Sequence, residues 1–81
     1  MTRLDPEILD FYDMEVVKRI VAGHGYGERE ALAAFLGSET YRMLANPEME
    51  MCRFGPPAIF DMWECEQVSG DPRTSAYLRM V

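Results

Sequence analysis

Apolar residues recur along this chain at intervals of three and four, and no segment alternates apolar with polar residues for six positions. That period predicts helices and no strands. In the first segment Leu9, Tyr12, Val16, Val17 and Ile20 share one stripe of a helical wheel, which Phe11, Met14 and Val21 widen. Asp13 falls inside that stripe. The start is written in Asp5-Pro6-Glu7: an acidic N-cap, a proline where a first-turn N–H has no partner to lose, and an acid at the positive end of the dipole. The helix is expected to run over about 6–22, where Gly23 stops it, with Glu15 and Arg19 as an i, i+4 pair on its polar side.

Gly23-His24-Gly25-Tyr26-Gly27 reads as a loop, after which Gly27 caps a second helix that turns Leu32, Phe35 and Leu36 inward and ends at Gly37. Ser38 caps a short third helix from Glu39 to Ala45, burying Tyr41 and Leu44. Asn46-Pro47-Glu48 repeats the cap, proline and acid order and starts one further turn through Met51.

Gly55-Pro56-Pro57 and Gly70-Asp71-Pro72 then bracket a long helix over about 56–69. Ala58, Ile59, Met62 and Trp63 form its apolar arc with Phe60 at the edge; Asp61 and Glu64 project away, whereas Glu66 projects into the arc. From Asp71 the chain starts either a last short helix through Arg79 or an extended tail. The fold class expected is all-α: a small single-domain bundle of four to five helices, two long and two or three short.

Composition bounds the rest. Eighty-one residues suffice for one core, and a domain of this size buries only about 60% of its unfolded surface, so self-association would add stability. No apolar run reaches the ~18 residues of a membrane span. Residues 1–5 show no basic stretch leading into an apolar one, so the chain is expected to be cytoplasmic, with Cys52 and Cys65 as reduced thiols. The net charge of −6 repels phosphate backbones, disfavouring nucleic acid and suiting either plain solubility or a basic protein partner.

Candidate chemistry is sparse. One histidine and two cysteines without a Cys-x-x-Cys pair do not make a zinc ligand set, and no cofactor is expected. The Gly-His-Gly-Tyr-Gly loop lacks the preceding strand and the Lys-Ser/Thr of a phosphate loop, and Glu28 and Glu30 would repel an anion. His24 is expected to be an exposed loop residue. Glu66 on an apolar arc needs a partner, because an unpaired buried charge costs several kcal/mol. Arg73, or alternatively Arg42, is the expected guanidinium of a structural ion pair. The functional alternative makes Glu66 or Asp13 an active-site carboxylate.

Met14, Met43 and Met62 fit core spacing, while Met49 and Met51 sit among Glu48, Glu50 and Arg53. Met49, Met51, Phe54 and Trp63 are therefore the candidate self-association or partner surface. Residues 28–45 also have the outline of a helix-turn-helix, with a glycine turn and a second helix offering Glu39, Thr40 and Arg42.

The segments Phe35-Leu36-Gly37-Ser38-Glu39-Thr40-Tyr41, Phe60-Asp61-Met62-Trp63-Glu64 and Gly70-Asp71-Pro72-Arg73 together resemble a set of small uncharacterised bacterial proteins with a Phe-Leu-x-Ser-x-Thr, acidic Trp helix and Gly-Asp-Pro-Arg order. The resemblance spans about 30–79; Gly37 and the 23–27 loop depart from it. Such proteins are similar in size and acidity to antitoxins, and the resemblance carries no catalytic residues. The expected function is a non-enzymatic protein–protein interaction module, with an antitoxin-like role as its most concrete form, that binds a protein partner or its own copy. The alternative is a DNA-binding regulator built on residues 28–45.

Overall fold

In the computed structural model, which describes residues 5–75, four α-helices and three 3-10 turns succeed one another. The helices are α1 (Pro6–His24), α2 (Glu28–Leu36), α3 (Glu39–Ala45) and α4 (Pro56–Ser69). The turns are Pro47–Met49, Met51–Arg53 and Pro72–Thr74. The all-α expectation holds, and no strand occurs among the described residues.

Local chemistry sets most of the ends. The Asp5 side chain accepts from the Glu7 N–H at 2.8 Å, and Ser38 Oγ accepts from the Tyr41 N–H at 3.0 Å, each satisfying a first-turn donor. Gly70 closes α4 at a φ of 82°, its N–H donating to the Glu66 carbonyl at 2.7 Å. The first helix runs two residues past its expected end. Gly25, not Gly23, takes the left-handed conformation at a φ of 72° and donates back to Val21. His24 is thereby the last helical residue rather than part of a loop.

The expected turn through Met51 splits in two because Glu50 adopts a left-handed φ of 52° between the 3-10 segments. After Asp71 the chain makes one 3-10 turn, Pro72–Thr74, so a helix beginning there is not formed; the remainder of that expectation, 76–79, lies outside the described residues.

Packing is organised around α4, which contacts α1, α3 and the Pro72–Thr74 turn, while α2 packs mainly on α1. Its arc of Ala58, Ile59, Met62 and Trp63 is fully buried, as the wheel requires. Leu9, Tyr12, Val16 and Ile20 of α1, Ala31 and Phe35 of α2, and Met43 and Leu44 of α3 complete the core. Three inward assignments fail. Met14, Leu32 and Leu36 are exposed, Met14 by 61%, because α1 and α2 each carry more apolar arc than their neighbours cover.

Candidate interaction surface

Glu66, expected to project into the apolar arc and pair with an arginine, has another partner. Its carboxylate accepts the backbone N–H of Glu39 and of Thr40, both at 2.9 Å, and the Thr40 hydroxyl at 2.8 Å. The acid of α4 thus caps the positive end of α3, where unpaired donors and the helix dipole both favour an anion. Arg42 pairs instead with Glu39 at 3.4 Å and Arg73 with Asp71 at 3.3 Å, so the expected Glu66 ion pair is replaced by a helix cap. An arginine was the obvious counter-charge in the sequence, whereas a helix end becomes a counter-charge only after packing.

The other acids of α4 are also engaged rather than turned away. Asp61 accepts the Ser75 hydroxyl at 2.5 Å, and Glu64 meets His24 Nε2 at 2.9 Å. The imidazole lies edge-on to the Trp63 ring at 5.3 Å, with Tyr26 and Phe60 around the same indole. His24 and Glu64 thereby tie the end of α1 to α4.

The surface expected from Met49, Met51, Phe54 and Trp63 does not assemble. Trp63 is 0% exposed and Met51 2% exposed, Phe54 is half-buried, and Met49 stands at the surface. The left-handed Glu50 directs Met49 and Met51 apart, sending one outward and one into the core. Phe54 is occupied locally: its carbonyl accepts the Tyr12 hydroxyl, and the Arg53 guanidinium lies 5.1 Å over its ring.

The helix-turn-helix outline is present as α2 and α3, but Thr40 is fully buried and Glu66 lies across the N-terminus of α3. Arg42 is the one cation on that helix.

An open surface lies elsewhere, along α1 and α2. A groove of about 930 Å³ runs between them, lined by apolar Met14, Val17, Val21, Ala22 and Leu32 and by charged Asp10, Asp13, Lys18, Glu28 and Arg29. Phe11 and Leu36 are exposed on the same two helices. Asp13 is set into the groove wall, with Oδ1 buried and without a hydrogen-bond partner. Burial, and secondarily the nearby Asp10 charge, push its carboxyl above the usual carboxylate range. Glu15 on the outer side behaves oppositely: its bond to Arg19 at 3.2 Å, followed by the Lys18 charge, holds its carboxyl low. The sequence held one sign of this groove. Nine large apolar residues spread over α1 exceed the arc that one packed face needs.

Comparison of the chain with protein-family models, with curated proteins and with solved structures finds no match. No helix of the described residues is long and apolar enough to cross a membrane.

Proposed function

We propose that this chain acts by binding another protein rather than by catalysis, and that the α1–α2 groove is its docking surface. The observation that carries the reading is the pairing of an open apolar floor with Asp13, whose inner oxygen has no partner. An open apolar cleft fits the apolar face of a helix, the recurring helix-in-groove mode of recognition. Asp10 and Asp13 on its wall favour an incoming helix with a cation or hydrogen-bond donor beside its apolar stripe. The same chemistry would serve an antitoxin-like role toward a protein partner that presents such a helix.

Two features support binding over acid–base chemistry. Of the two candidate carboxylates Glu66 is engaged as the cap of α3, and the imidazole of His24 is held by Glu64, which leaves Asp13 on the groove wall. The DNA-binding reading finds less support, since Thr40 of the would-be recognition helix is buried.

The test compares the full chain with Met14→Glu, which places a charge on the groove at an exposed position and spares the core. Circular dichroism checks that the fold is unchanged. Association, whether with itself or with a captured protein, is expected to be lost in the variant. Association that survives Met14→Glu at full strength overturns the groove as docking surface.

A further inference from the structure

We infer that the occupant of the α1–α2 groove is the same groove of a second copy, joined about a two-fold axis that crosses α1 antiparallel to its mate. The inference rests on the docking role proposed above and names the partner.

Three observations select a second copy. First, the occupant must offer an apolar helical stripe flanked by cations, and this chain displays one. Met14, Val17 and Val21 form the stripe, with Lys18 beside it and Arg29 on α2. Second, the charges are ordered along the groove. Asp10 and Asp13 lie toward the start of α1, while Lys18 lies further on; Arg29 lies beside the α1–α2 connection, where Glu28 also lines the groove. A strongly basic partner would meet Lys18 and Arg29 as like charges. A two-fold copy reverses the order, laying the acidic end of one groove on the cationic end of the other. Third, the groove-lining α1 positions 13, 14, 17 and 18 are symmetric about the midpoint between Met14 and Val17, so a reversed copy brings Asp13 toward Lys18 as it stacks the apolar pair. An antiparallel crossing centred between Met14 and Val17 sets each against the other's counterpart. It also brings Arg29 of the second copy toward the end that holds Asp10 and Asp13. On α2, exposed Leu32 and Leu36 then meet across the same axis, so that both helices of each copy contribute to one four-helix contact.

Sedimentation equilibrium on the purified full chain, from micromolar to about millimolar, tests this. The species expected is of twice the 9.3 kDa chain mass, reduced to the single mass by Met14→Glu. Asp10→Lys and Arg29→Glu, both at exposed positions, are each expected to weaken the dimer by about tenfold through like-charge contact. Combined, they restore it to within about threefold, because the reversed pair is again complementary. A purified chain that stays monomeric throughout the range overturns the second copy as occupant. The docking reading then stands if Met14→Glu still decides capture of a different protein. A dimer indifferent to Met14→Glu overturns both. A dimer lost in Met14→Glu but not rescued in the double reversal overturns the antiparallel arrangement.

Discussion

Two acids on apolar arcs, Glu66 of α4 and Asp13 of α1, met opposite fates. Glu66 found three donors at the N-terminus of α3, while Asp13 Oδ1 is buried with none. The contrast extends to their surroundings. Every acid on α4 is engaged across an element boundary or with the turn that follows, and its apolar arc is covered. The α1–α2 face instead leaves Phe11, Met14, Leu32 and Leu36 exposed around a carboxyl held above its ordinary range. A carboxylate among apolar residues is structural when a helix end answers it. Left unanswered beside open apolar surface, it lies on the face proposed above for docking.

The largest expected effect lies on the finished side. Trp63→Ala empties the most voluminous fully buried side chain, at a cost of about 3–5 kcal/mol. That is a large share of the ~5–15 kcal/mol by which small domains are stable, so a urea titration followed by circular dichroism should show a large fall in midpoint. A loss below about 1 kcal/mol would mean that α4 is not the organising element.

Glu66→Ala comes next, at about 2–3 kcal/mol, since it strands two backbone donors and a hydroxyl that share a charged acceptor. Glu66→Gln keeps one carbonyl oxygen and should lose roughly half as much. Equal stability of all three proteins in the same titration would erase the distinction between the two acids.

Smallest is Asp13→Asn, which is expected to raise the melting temperature at pH 7. Burial lifts the carboxyl's pKa in the folded state, so the folded chain holds that proton more tightly than the unfolded one. The ionised group therefore costs stability at neutral pH, and the cost fades as pH falls through the raised value toward the ordinary one of about 3.8. The advantage of the variant should shrink over the same interval. Thermal melts of both proteins between pH 7 and pH 3 measure it, and a constant difference would contradict the burial.

Most of the fold was legible because its punctuation is local. Asp5-Pro6, Ser38, Pro56 and Gly70 act within a few residues of themselves, and α4 spans the interval that its prolines and glycine mark. Errors arose where neighbours decide. Gly23 and Gly25 are equivalent stops in the sequence, and the one in the left-handed region ended the helix. Leu32 and Leu36 share a wheel with Phe35, yet only the arc that α1 and α3 cover is buried. The site was less legible than the fold. Trp63 was placed on a surface by grouping it with Met49, Met51 and Phe54, although its own arc already assigned it to the core. The groove depends on which side of an over-wide stripe stays uncovered, and only the placement of α2 determines that.

The cap that Glu66 gives α3 also orders events in time. With seven residues, α3 is well short of the ~12–15 at which an isolated helix begins to persist in water. Ser38 supplies one local cap, and the rest comes from a carboxylate 26 and 27 residues further along the chain. During folding α3 therefore consolidates as α4 docks, and on unfolding the two should be lost together. The middle of the molecule is one cooperative unit, closed by a single side chain.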